Sequence, residues 1–503
     1  MQNHNHQHRG PRALLLLLLL LLSLVLLLNS RYGSAVAQTR DPATTSAVDT
    51  ALRTLIDQHG LSGDPSIGRN LPPINSPLAQ LGRNLFFTKA LSGEMDTACV
   101  SCHLPTLGGG DALALPVGVH AVDPDLIGPG RIHYDNTPLV PRNAPTTFNI
   151  GLWDVFLFHD GRVESLDKLI GLHGAGELGI RTPDSPMGVA DPLAGGNLSM
   201  AQARFPVTSE AEMRGAQFEP GEANAAVRNH LVARLCAEGK DGLDAETSAW
   251  WQAQFTKVFG PAPTVKELIT EQRIAEALAA YEQSQLFVET PWKAYVQGDD
   301  SAIAEAAKRG ALLFYATTAE GGANCVQCHR GDFFTDEQFH VLAIPQVGPG
   351  KGNGPQGTDD YGRYRETGNV NDLYAFRTPT LLNATVTAPY GHDGAYSTLE
   401  SVVRHMLNPR VAAATYDWGQ LDPTIPIRDA KVNTRKAVIH LQLQALLGLP
   451  TVETVPLTDA QVADLVAFLS TLTDPCVADA ACLAPWLLPA ETPDPHAIHA
   501  YVR

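Results

Sequence analysis

Cys99-Val-Ser-Cys102-His103 and Cys325-Val-Gln-Cys328-His329 are both of the form C-x-x-C-H. Two thiols three positions apart, followed at once by an imidazole, are the pattern of covalent c-type haem attachment. The thiols form thioethers with the haem vinyls, and the adjacent histidine sits under the iron as proximal ligand. A four-cysteine zinc site or two redox C-x-x-C pairs would use the same residue types. Structural zinc pairs usually lie within tens of residues, whereas these strings are 226 positions apart and each carries the histidine. Two covalent haems on Cys99, Cys102, Cys325 and Cys328 are expected, with His103 and His329 beneath the irons. Cys476 and Cys482 close a short loop and are expected to form a disulfide, and Cys236 reads as a buried apolar thiol.

Outward from the two strings, the chain repeats itself. Gly82-Arg-Asn-Leu-Phe86 precedes the first and Gly310-Ala-Leu-Leu-Phe314 the second, both G-x-x-L-F. Downstream, Ala144-Pro-Thr-Thr-Phe-Asn149 leads to His159-Asp-Gly161, and Thr378-Pro-Thr-Leu-Leu-Asn383 leads to His392-Asp-Gly394; the two intervals differ by one residue. Each half reads as one haem module. Thr264-Val-Lys-Glu267, Ser397-Thr-Leu-Glu400 and Thr458-Asp-Ala-Gln461 fit the capping-box pattern. After Thr458, the residues Val462, Leu465, Val466 and Leu469 make one apolar helical face. Strand-like alternation is scarce. The expected fold is mainly α, two tandem cytochrome c-like haem domains with long loops. The expected divisions are an export signal at 1–37, a first haem domain with an inserted loop and linker helix at 38–295, a second haem domain at 296–475 and a tail at 476–503.

Composition agrees. The 503 residues allow two or three domains, and 44% apolar with 18% charged residues can build ordinary cores. The formal charge of −17 becomes −20 from Gln38 onward, which disfavours a nucleic-acid partner. Arg9 and Arg12 precede an almost unbroken apolar run, Ala13 to Leu28, followed by Ala35-Val-Ala37, so cleavage after Ala37 is expected. Sixteen residues fall short of the roughly 20 that span a bilayer, and no other stretch could cross one. Export points to an oxidising compartment, most simply a bacterial periplasm.

As an ordered set, these residues resemble the bacterial di-haem cytochrome c peroxidase family, which includes MauG-like enzymes. The resemblance runs from about Pro77 to Pro475. It comprises the first haem string, P-R-N-A-P-T, H-D-G-R, an inter-module helix, the second string, F-R-T-P-T, T-A-P-Y-x-H-D-G, T-L-E and L-T-D-x-x-x-x-D-L-V-A-F-L. It implies an enzyme that reduces hydrogen peroxide to water with electrons from a small cytochrome c or cupredoxin. The first haem would be the peroxide site and the second would collect electrons. His120 would cap the first iron in the resting form, with His133 as its rival and neither as the third reading. Met406 would be the sixth ligand of the second iron, with His405 beside it; MauG-like proteins carry a tyrosine there. A thioether is soft and neutral and favours ferrous iron, which suits electron entry. Glu212, in Pro206-Val-Thr-Ser-Glu-Ala-Glu212-Met213, would be the acid/base group, Glu210 competing on charge alone. A calcium ion would be held by the Asn143 side chain with the Thr387 and Pro389 carbonyls. His159, His392 and Arg377 would lie between or beside the haems, and the resemblance allows a homodimer.

The chain also departs from the family. His159 stands where a tryptophan commonly precedes D-G-R, and the Gly-, Pro- and Ser-rich stretch 171–200 and the tail lie outside a simple peroxidase. These features keep two other readings open: a MauG-like oxidase that modifies a partner protein, and a non-enzymatic di-haem electron carrier.

Overall fold

The computed structural model describes residues 46–499 and the backbone of 501 and 502. The export signal expected at 1–37 lies outside the described residues. From Val48 onward the chain forms one compact unit, mainly helical.

The G-x-x-L-F repeat marks two helix crossings of the same kind. The Pro77–Phe87 helix packs on Glu271–Gln283, and the Glu305–Tyr315 helix packs on Asp459–Ser470. A Cβ on Gly82 would fall 1.8 Å from the Ala277 carbonyl oxygen, and one on Gly310 would fall 1.9 Å from that of Asp464. Only glycine lets these backbones approach so closely. One turn on, Phe86 meets Tyr281 with ring centroids 4.9 Å apart, and Phe314 meets Phe468 at 5.1 Å. Each crossing anchors its own core. The first gathers Leu85, Phe86, Trp251, Phe255, Leu278 and Tyr281, with Cys99 against it; the second gathers Trp292, Tyr295, Phe314, Phe334, Leu465 and Phe468, with Cys325 against it. Fully burying each such large side chain contributes about 1.5 to 3 kcal/mol.

The capping signals are realised unevenly. Thr458 and Gln461 form a reciprocal capping box, and Val462, Leu465 and Leu469 are buried as expected, Phe468 with them. Thr264 caps only the four-residue turn Val265–Leu268, and the long helix begins instead at Thr270. At the third signal the cap is Thr398, with Ser401 returning the bond, because Glu400 pairs with Arg404.

Strands are short. Phe156–Leu157, Val163–Ser165 and Ile180–Arg181 form a three-stranded antiparallel sheet whose first two strands flank the first H-D-G, and Phe339–Val341 pairs antiparallel with Ala375–Arg377. Inside the 171–200 stretch His173 donates from Nδ1 to the Trp153 carbonyl and accepts at Nε2 from Ser199, while Asp191 receives Thr182 and Arg204. The tail packs on the first helix crossing, where Trp486 O accepts from Tyr281, Pro485 O accepts from Arg83, and Ile498 N donates to Phe87 O. Cys476 and Cys482 are disulfide-bonded, and Cys236 is a buried thiol in the first core. Among the described residues no helix is long and apolar enough to cross a membrane.

Candidate active site

The first C-x-x-C-H string curls into a tight turn, Cys99–Ser101, in which Cys102 N and His103 N both donate to Cys99 O. The turn brings Cys99, Cys102 and His103 onto one wall of a cavity of about 930 Å³. His103 Nδ1 lies 3.2 Å from the Gly109 carbonyl. A carbonyl can only accept, so Nδ1 carries the proton and Nε2 keeps its lone pair. Burial pulls this imidazole below its ordinary pKa, so it is neutral, and pushes the Cys99 thiol up to about 12. The second string repeats the arrangement: Cys325–Gln327 is the turn, and His329 Nδ1 donates to Phe334 O at 3.0 Å. Two thiols and one imidazole nitrogen left free for a metal are the donor set that a c-type haem requires, so both strings fit the group.

Glu212 lines the same cavity as His103. It sits on the π-helical turn Glu210–Arg214, where Arg214 N reaches back five residues to Ser209 O at 2.9 Å. Such turns recur at functional sites. Glu210 faces solvent and pairs with Arg214 at 2.8 Å, so of the two rival glutamates only Glu212 lines the cavity. His120 and His133 are not among the cavity's lining residues. His120 faces Glu94 and Asp96, while buried His133 donates to Asp135.

The two H-D-G motifs meet through one residue. His159 Nε2 donates to Asn143 O at 3.1 Å, and Asn143 N donates to His392 O at 3.0 Å. Beside them, buried Arg142 binds Asp160 through Nη1 at 2.6 Å and Asp360 through Nε at 2.6 Å. Burial alone would raise both carboxyls, but Arg142 outweighs it and holds them well below the usual range. Burial and then Arg142 drive His159 down to about 4, and burial drives His392 down to about 3, so both rings are neutral. The His392 ring stacks on Phe376 at 3.7 Å. Arg377 N donates to His159 O at 2.9 Å, and its guanidinium lies 3.3 Å above the Trp153 ring. In the second half, Met406 is half-buried against Ile344, Ala395, Tyr396 and Tyr416. Both ring nitrogens of neighbouring His405 are engaged: Nδ1 accepts from Tyr396 Oη at 2.7 Å and Nε2 donates to Leu342 O at 2.8 Å.

A family model described as di-haem cytochrome c peroxidase matches residues 76–301. Over that region the chain resembles the di-haem cytochrome c peroxidase family. It is 27% identical to the methylamine utilization protein MauG of Methylophilus methylotrophus over 66% of this chain and 74% of that one. It is 25% identical to the cytochrome c551 peroxidase of Nitrosomonas europaea over the same shares, 66% and 74%. Two solved structures share the fold at TM-score 0.50 and 22% identity. They are a MauG-like protein associated with microbial copper homeostasis, covering 82% of this chain and 96% of that one, and the diheme peroxidase BthA of Burkholderia thailandensis, covering 87% and 93%.

The structure adds residues that no motif flagged. Lys351, from a glycine-rich loop of the second half, lines the first cavity with Arg162 and Glu212; burial, then Arg162 and Arg142, lower its ammonium to about 8. Glu282 lines the cavity from the Glu271–Gln283 helix, and burial raises it to about 8. A second, smaller cavity of about 210 Å³ brings Asn143 and Thr387 together with Ala388, next to Pro389, and adds Asp111. Asn143 Nδ2 donates to Leu113 O and Ala114 O, which leaves its Oδ1 available. Asp111 is buried with one carboxylate oxygen lacking a hydrogen-bond partner among the described residues, and burial raises it to about 7. Its only sequence signal is its place eight residues after His103 in Gly-Gly-Gly-Asp111.

Proposed function

We propose that this protein is an exported di-haem peroxidase that reduces hydrogen peroxide to water with electrons from a small redox protein, a cytochrome c or a cupredoxin. The observation that carries the reading is the shared cavity of Cys99, Cys102, His103 and Glu212. Bound at the two C-x-x-C-H strings, the haems would supply electron storage and an iron able to bind peroxide. Residues 38–295 would hold one haem and 296–475 the other. His103 and His329 would be the proximal ligands, Met406 the sixth ligand of the second iron, and His120 the residue that leaves the first.

Glu212 takes a proton from the nearer peroxide oxygen and returns it to the departing one, releasing water. Its turn is held by backbone contacts, so the carboxylate is presented without reorganising the loop. Arg142, His159, Asn143 and His392 keep the two halves in register, and the neutral histidines add no charge to that layer. Asp111, the Asn143 side chain and the Thr387 and Pro389 carbonyls would hold calcium, a hard oxygen set with one charge.

The test is steady-state peroxide turnover by the holo-protein with reduced cytochrome c, together with spectra of the half-reduced form. Turnover with one high-spin haem supports the reading; two low-spin haems throughout and no turnover sink it in favour of an electron carrier. A MauG-like oxidase is the second reading, favoured by relatives of that name at similar identity. Loss of electrons from a partner protein instead of cytochrome c would select it.

A further inference from the structure

We propose that Glu94, Asp96 and His120, backed by His133, bind a divalent transition-metal ion at a site distinct from both haem strings and from the Asn143 cavity. The side chains converge from either side of the first C-x-x-C-H string. His120 Nδ1 lies 3.4 Å from Glu94 Oε2 and 4.0 Å from Asp96 Oδ2, and the three ligand atoms all lie within 4.8 Å of one another. An ion bonded at about 2.1 Å places its ligands about 3.0 to 3.4 Å apart. One pair is already at that spacing, and the exposed Glu94 side chain can rotate to close the rest. Two carboxylates brought this close repel each other unless a cation stands between them. The mixture of imidazole and carboxylate suits zinc, manganese or copper(II).

His133 is the independent observation. Its ring is 3% exposed, Nδ1 donates to Asp135 Oδ1, and Nε2 has no hydrogen-bond partner among the described residues. A carboxylate on one ring nitrogen and an unused lone pair on the other is the arrangement of a metal-ligating histidine. The His120 and His133 ring centroids are 6.0 Å apart. Each centroid stands about 3.2 Å from an ion bound in the ring plane, so two rings on one tetrahedral ion have centroids about 5.2 Å apart, and a shift of about 1 Å brings His133 into the set. The scaffold is already in place. His120 adopts φ +62°, its N–H donates to Asp96 Oδ2 at 2.6 Å, and the Arg131 guanidinium ties down the carbonyls of Val117, Gly118 and Leu126.

The same segments lean on the turn that bears Glu212: Gly93 N donates to Met213 O at 2.8 Å and Val119 N to Ala211 O at 3.4 Å. A bound ion therefore keeps His120 outside the first cavity. The ion site does not depend on the haem reading; the coupling to the first iron does.

Isothermal titration of the holo-protein with Zn²⁺ tests both. One ion should bind with an affinity that falls at least tenfold in Glu94→Gln, His120→Gln and His133→Gln, in line with the roughly 10- to 100-fold effects of perturbing metal-site groups. Unchanged affinity in Glu94→Gln, with its thermal midpoint that of wild type, overturns the site. The visible spectrum of the oxidised protein separates the two claims. A low-spin to high-spin change on zinc binding supports the coupling. Zinc binding with no spectral change leaves the site standing and removes His120 as an iron ligand.

Discussion

Replacing Glu212 by glutamine removes one proton-accepting oxygen and almost nothing else. The turn Glu210–Arg214 is set by backbone bonds from Met213 and Arg214 to Ser209 O and from Gly215 to Glu210 O, none of which uses the Glu212 side chain. A Cβ on Gly118 would lie 2.5 Å from Glu212 O, so the facing loop also holds the backbone at this position. Shape and position survive the substitution, and the loss is confined to proton transfer. General acid–base groups contribute about 10² to 10⁴ in rate, or about 2.7 to 5.4 kcal/mol at the transition state. The assay is stopped-flow and steady-state peroxide reduction at saturating reduced cytochrome c. Glu210→Gln is the matched control, since its partner Arg214 is a surface ion pair worth at most about 1 kcal/mol and its carboxylate lies outside the cavity. Glu212→Gln should lose kcat by at least 10² with an unchanged thermal midpoint, while Glu210→Gln stays within about twofold of wild type. Turnover in Glu212→Gln within a factor of about three of wild type would refute the assignment of proton transfer to this residue.

Gly310→Ala should destabilise by about 1 to 3 kcal/mol, because the clash at 1.9 Å is with backbone and exceeds the roughly 1 kcal/mol helix-propensity gain. Gly196→Ala, which meets open space, should stay within about 0.5 kcal/mol by thermal unfolding; equal shifts in the two variants would discount the crossing. Arg142→Met strands Asp360 in the interior, leaves Asp160 with Arg162 alone, and should cost about 3 to 5 kcal/mol. Both carboxyls are depressed, so their contribution is complete above about pH 4, the unfolded carboxylate range, and fades as pH falls toward their folded values. Urea unfolding at pH 7 and at pH 3 should therefore show a smaller difference between wild type and Arg142→Met at the lower pH. Calcium at 100 times its dissociation constant should stabilise by about 2.7 kcal/mol, and Asp111→Asn should reduce that gain at the same calcium concentration; an equal gain in the variant would exclude Asp111 from the site.

The haem strings were legible because covalent attachment needs its three residues contiguous, and the G-x-x-L-F repeat because one glycine, one helical turn and one aromatic ring are a local requirement. The capping boxes were readable only to within a residue or a turn: Ser397 yielded to Thr398 once Glu400 found Arg404, and Thr270 took the cap expected of Thr264. Apart from the expected disulfide, the tail and the 171–200 stretch gave no signal in sequence, and they are tied down by bonds to remote residues such as Tyr281 to Trp486 and His173 to Trp153.

Contiguous pattern alone therefore determined the two C-x-x-C-H turns, the repeated helix crossing and the mainly helical fold, since each is encoded within a few residues of chain. Tertiary structure alone decided that Glu212 and not Glu210 lines the first cavity, and that Lys351 reaches it from the other half. It also decided that Asn143 joins the two H-D-G motifs and that His120 faces Glu94 and Asp96. These are meetings of side chains brought together from remote segments, and no local periodicity records how far a folded backbone will carry one residue toward another.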